Sequence, residues 1–272
     1  MATPNMDKRF FKKTIKDFKW TALIYAIIVV AYAVMIIGFF PSIRDNAGSF
    51  EELLEVYPES LMDAFGVTAE SFSSLEGFLS VEYLSFVWVM IVTILIFTLS
   101  ASSVAGEIDK GISEFSFTLP VKRWRIALGK FGAAYLIYAF VALATVLSIM
   151  LGAAMVGESF NLGGMGAFLL VAFAMGFFLL TLTSFVSAFS RTKGRVYGIC
   201  GAFLGVSYLL HILNGISESV SSVYYFSFFK YYGNTQEVLL SGDINLVNIG
   251  VFVVFGAVFL GFTLWILEKR DL

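Results

Sequence analysis

Ser207, His211 and Asn214 recur at i, i+4 and i+7, so a helix sets them in one polar stripe. A serine beside a histidine is a nucleophile beside its base, and His211 is the only histidine in the chain. Two side chains on one helix turn leave little room for a substrate carbonyl between them. Polar groups lining a helix interface or a translocation path explain the stripe more simply than hydrolysis does. The sequence has no H-E-x-x-H zinc pair and no G-x-S-x-G elbow, so no metal or hydrolase site is expected. It also has no G-x-x-x-x-G-K-[ST] loop to cradle nucleotide phosphates.

The other stretch able to do chemistry is Gly106 to Lys130, GEIDKGISEFSFTLPVKRWRIALGK. Its charges are of both signs, which suits docking onto a partner or onto lipid headgroups. Glu107 stands near the start of a short surface helix, with Ile112, Phe115 and Leu119 as its apolar edge, and Pro120 stops it. Lys122, Arg123 and Arg125, with Trp124 among them, then suit the headgroup layer.

The elements that must hold these residues are membrane helices. Hydrophobic residues make up 58% of the 272, charged residues 14%, and the mean hydropathy is +0.85, a composition that water-soluble domains do not have. One cysteine, Cys200, excludes an internal disulfide, and a net charge of -2 offers nothing to a nucleic acid. Six stretches free of Asp, Glu, Lys and Arg are long enough to span: 20–40, 83–104, 131–156, 168–189, 196–216 and 246–267. Sixteen of the eighteen basic residues fall on one side of these spans, leaving Arg44 and Lys230 on the other. Both termini are therefore expected in the cytoplasm of a multi-pass cell-membrane protein.

The connecting segments carry further expectations. Residues 1–19 contain a basic amphipathic helix, with Phe11, Ile15 and Phe18 on one face, expected to lie in the headgroup region before the chain turns into the membrane. Residues 41–82 hold nine of the twenty acidic residues and read as two short amphipathic helices, the second ended by Gly66. Gly157 to Ala167 reads as a turn. In 217–245, seven of the nine residues from Tyr224 to Tyr232 are aromatic, which reads as an interfacial belt or a shallow re-entrant segment. The absence of Asp, Glu, Lys and Arg inside the spans disfavours an ion-coupled carrier, because a coupling ion needs such a site.

The central stretch resembles a known family. The pattern E-x-x-x-G, then L-P-V-x-R, then G-K opening the third span is carried by Glu107, Gly111, Leu119, Pro120, Val121, Arg123, Gly129 and Lys130. It is similar to the membrane subunits of ABC exporters with the ABCG-like fold, as is the terminal EKRDL. Ile112 and Lys122 stand where that family commonly has Thr and Ser. The resemblance implies that the first amphipathic helix is a connecting helix and that Glu107 to Leu119 is a coupling helix. The coupling helix would rest on a separate ATP-binding subunit, present in two copies, which would bind ATP and Mg while this chain binds no cofactor.

The same resemblance makes the Ser190 to Arg195 loop, with Arg191, a second contact. It implies a second permease subunit, the same or homologous, with the second and fifth spans lining the path between the two. Ser207, His211 and Asn214 would then belong to that path. The expected fold is an all-α polytopic membrane protein of six transmembrane helices with 105–130 as the coupling region. The expected function is export of an amphipathic drug, peptide or lipid, without catalysis by this chain. The competing reading is a channel or uncoupled carrier outside the ABC class.

Overall fold

In a computed structural model of the chain, residues 6–46, 48, 56–102, 105–106 and 122–269 are described, and these form helices and turns with no strand among them. The long helices are α1 (Met6–Asp45), α4 (Val87–Ala101), α5 (Arg123–Val156), α6 (Leu162–Phe189), α7 (Lys193–Ile216) and α11 (Leu246–Lys269). Shorter ones are α2 (Glu59–Phe65), α3 (Leu75–Leu79), α8 (Ser221–Tyr224), α9 (Phe228–Tyr232) and α10 (Thr235–Ser241). Five of the long helices are long and apolar enough to cross a membrane. A sixth span arises if Leu75–Leu84 and Val87–Ala101 are taken together across a 41° bend.

Pairings across the loops give the bundle a basic end and an acidic end. Phe11 lies against Gly132, Ile37 against Gly152, and Arg44 pairs with Glu158, so α1 and α5 run antiparallel along their whole length. The helix α6 is the hub, packing on α4, α5, α7, α10 and α11. Its most apolar window is 61% buried, against 22% for α7 and 17% for α11, which leaves those two on the periphery.

Three sequence expectations change. The amphipathic stretch before Trp20 is not a separate surface helix but the first part of the 40-residue α1, about 60 Å long at helical rise. A turn there needs a backbone break, and no Pro or Gly stands between Met6 and Ile37 to supply one.

The second span is also not the continuous helix 83–104. Ser80–Leu84 is π-helical, and α4 starts only after Phe86, at φ -135° and ψ -58°. Such a break survives in an apolar setting only if its polar groups find partners. Tyr232 Oη donates to Leu84 O at 2.9 Å, Tyr83 Oη to Val29 O at 2.9 Å, and the Ser80 and Ser85 hydroxyls both bond Thr235 Oγ1.

The aromatic segment is not a uniform row of exposed rings but runs through the short helices α8, α9 and α10, folded back on the bundle. Phe228, Phe229 and Tyr232 are buried in the core, while Tyr225 and Phe226 are exposed.

Other expectations hold. Gly66 (φ +66°) follows α2, the second of the two short helices expected in 41–82, while the first, around Phe50 to Leu54, lies outside the described residues; the turn from Gly157 (φ +78°) follows α5. The turn after Gly157 is shorter than expected, because Asn161 caps α6 by accepting the Gly163 N–H. At Gly164 a Cβ would run into the backbone carbonyl of Leu239, so the first turn of α6 can carry α10 only as glycine.

A buried pair ties α4 to α5: Trp88 Nε1 donates to Thr145 Oγ1 at 2.9 Å, and that hydroxyl donates to Val141 O. Thr145→Val keeps the shape and strands the indole N–H. We expect it to lower stability by about 1–2 kcal/mol, the upper range for hydrogen bonds inside membrane proteins. Thermal unfolding in detergent against wild type is the measurement.

Candidate functional site

The polar stripe of α7 does not form a dyad. Ser207 is buried, and its backbone carbonyl accepts the Ser227 hydroxyl at 2.7 Å. His211 Nδ1 lies 2.9 Å from the Tyr224 hydroxyl instead, with its ring stacked on Phe229 at 5.6 Å. No Ser207–His211 hydrogen bond forms among the described residues. Asn214 is half-buried beyond them.

Rings that the spacing argument missed complete the setting. Phe86, at the break before α4, stacks on Tyr208 at 4.3 Å, and Tyr208 lies 5.3 Å from Phe229. Lys230 Nζ sits 3.9 Å from the Tyr225 ring centre and 5.2 Å from that of Tyr224, a cation-π pairing. Burial pushes the Tyr224 phenol up to about 12, so it stays protonated at neutral pH. The stripe therefore pins the short helices α8 and α9 to the C-terminal half of α7. A cleft of about 350 Å³ opens elsewhere, among Tyr231, Asn234, Glu237, Asp243 and Asn248, and none of the stripe lines it.

The opposite face of α7 is open. Gly198, Gly201 and Gly205 recur at i, i+3 and i+7, and a Cβ on any of them would meet nothing within 4 Å. The same face continues with Leu209, Leu213 and Ile216, all exposed. It is flat and small toward the basic end and bulky toward the acidic end.

The residues Glu107, Gly111, Ile112, Phe115, Leu119 and Pro120 lie outside the described residues. What flanks them is described. Ala105 and Gly106 are buried on one side. On the other, Lys122 precedes α5, Arg123 is its first residue and half-buried, and Arg125 lies 5.3 Å from the Trp124 ring centre. Arg191 is exposed in the loop between α6 and α7.

Residues 10–272 match the sequence profile described as ABC-2 family transporter protein. The chain belongs to the ABC-2 transporter family. Among curated proteins, none matches the sequence. Membership covers nearly the whole chain, so the bundle as a unit is an ABC-2 membrane domain, a multi-pass transport subunit of a kind that is generally not catalytic. In this ABC-2 chain two peripheral helices, α7 and α11, surround the hub α6, and α7 carries a glycine face with nothing within 4 Å of its Cβ positions.

Proposed function

We propose that the chain is the permease half of an ATP-driven exporter, with both termini cytoplasmic and with ATP and Mg²⁺ bound by a separate subunit. The observation that carries this reading is the ABC-2 match over residues 10–272, in a sequence without a phosphate-binding loop. The stretch Glu107 to Leu119 rests on the ATP-binding subunit, and the Ser190 to Arg195 loop adds a smaller contact. Two such permease chains, the same or homologous, pair through the second and fifth spans, and on α7 the open glycine–leucine face supplies the surface. Small residues at that face let backbones approach closely, which is how helices associate when lipid removes the hydrophobic drive.

On this reading Ser207, His211 and Asn214 act on the path from behind the pairing face, by fixing α8 and α9 against α7. ATP-driven closure of the partner moves the coupling stretch, and the displacement passes to the spans at its two ends and opens the pair outward. The cargo suited to a path without charged residues in its spans is an amphipathic drug, peptide or lipid.

Glu107→Ala and Phe115→Ala test the reading. Each is expected to reduce stimulation of the partner's ATPase, and uptake of an amphipathic dye into inverted vesicles, together and by roughly tenfold. That is about 1.4 kcal/mol of lost docking. Membrane insertion is expected to stay intact. Unchanged uptake in both variants would overturn the coupling assignment.

A further inference from the structure

We propose that Lys193 is the joint that carries displacement of the stretch beginning at Glu107 into α7, a role that rests on the coupling reading above. A cation in the first turn of a helix faces the positive end of the helix dipole, an unfavourable place. Lys193 occupies it as the first residue of α7, directly after the capping Thr192, whose hydroxyl accepts the Arg195 N–H. A bias of positive charge toward this end is met as well by any exposed position, and its neighbours Arg191 and Arg195 are exposed. Lys193 alone of the three folds back and is half-buried.

Its destination is the end of the second span. Lys193 Nζ donates to Ser102 Oγ at 3.0 Å. Its aliphatic stem lies on Gly106, where a Cβ would overlap Cε and stand 3.3 Å from Nζ. From the other side of the Ser190 to Thr192 turn, Ser187 Oγ at the end of α6 accepts the Ala105 N–H at 3.1 Å. Ala105, Gly106 and Ser187 are all buried. The last residues before Glu107 are thus gripped by α6 and α7 together.

The grip works in both directions. The Nζ–Oγ bond resists separation of Ser102 from α7, and the stem against the bare Gly106 backbone resists approach. Motion of the coupling stretch either way along this contact therefore reaches the first turn of α7, the helix whose open face is proposed to meet the second subunit. A Cβ at residue 106 would push the stem off, so glycine there is a requirement of the joint.

The test uses the full chain in membrane vesicles with its co-purifying ATP-binding subunit. The background is Cys200→Ala, with a nitroxide on Leu209→Cys, an exposed position of α7 four residues past Gly205. Spectra are compared with and without ATP plus vanadate. The background is expected to change its line shape on trapping. Lys193→Met keeps most of the stem and loses the donor, and Ser102→Ala loses the acceptor. Each is expected to cut the change roughly tenfold, the effect of one hydrogen bond to a charged group.

Combining the two should add nothing further, and Ser102→Thr should restore the response. Additive losses, or variant spectra that respond like the background, overturn the joint. Should Lys193→Met fail to accumulate, Ser102→Ala decides alone. A background that does not respond, or responds equally with Phe115→Ala, overturns the coupling reading and the joint with it.

Discussion

Gly176→Ala is expected to destabilise the bundle by about 3 kcal/mol or more, the range for overpacking a core combined with loss of a buried hydrogen bond. Gly176 lies in the hub helix α6, facing Tyr138 of α5, whose side chain is fully buried. A Cβ at 176 would come within 2.6 Å of Tyr138 Cδ1 and closer still to Cε1. The ring has no retreat, because its hydroxyl donates to Ala172 O at 2.6 Å, one turn away on the same helix. Glycine inside a helix costs about 1 kcal/mol relative to alanine, so propensity alone would favour the change. Sterics outweigh it. Thermal unfolding and the yield of folded protein in membranes check the sign, and a variant as stable as wild type would show that Tyr138 can move.

Gly201→Leu is expected to do the reverse, leaving the single chain folded and removing its function. Nothing lies within 4 Å of a Cβ at residue 201, so alanine there should stabilise the isolated chain slightly through helix propensity, by about 1 kcal/mol at most. Leucine keeps that tolerance but adds a side chain between Gly198 and Gly205 on the face proposed to meet a second subunit. Pairing is expected to weaken roughly tenfold or more, since glycine faces act by allowing close backbone approach, and transport should fall with it. Cross-linking between copies in native membranes, read beside thermal stability, separates the two effects. Undiminished cross-linking by Gly201→Leu would place the pairing surface elsewhere.

The contrast between Gly176 and Gly201 shows where sequence reading stops. Both are glycines in long apolar segments, and although Gly201 stands in a series with Gly198 and Gly205, nothing in that series says whether a neighbouring helix covers it. In water, the 3.6-residue period separates a core face from a solvent face. In lipid both faces are apolar, so the period carries no such label. The hydrophobic stretches of α5, α6 and α11 were therefore legible as spans, while their inward faces were not. The aromatic run after Val223 shows the same limit. Phe229 is buried and Phe226 exposed, although both are phenylalanines three residues apart.

The proposed site was legible in proportion to its polarity. The stripe Ser207, His211 and Asn214 was visible because polar residues stand out in an apolar helix, yet the groups that engage it were not. Its actual partners, Tyr224 and the Ser227 hydroxyl, come from a segment that follows the helix and folds back onto it. Lys193 was visible as one of three basic residues in a short loop. Its difference from Arg191 and Arg195 lies only in where Ser102 and Gly106 stand.

What the sequence determined by itself is what depends on local composition. It set the membrane class through charge-free segments of spanning length, the asymmetry of basic residues about them, the glycine stop at Gly66, and the family through residues spread over the whole chain. Only the tertiary structure decided which faces meet: that the second span breaks before α4, and that α7 turns its polar stripe inward and its glycines outward. The reason is physical. Partition into lipid is a sum over a segment, and a sum can be read along the chain. A break or a face is decided by hydrogen bonds and contacts between residues as far apart as Leu84 and Tyr232, which no local property of either records.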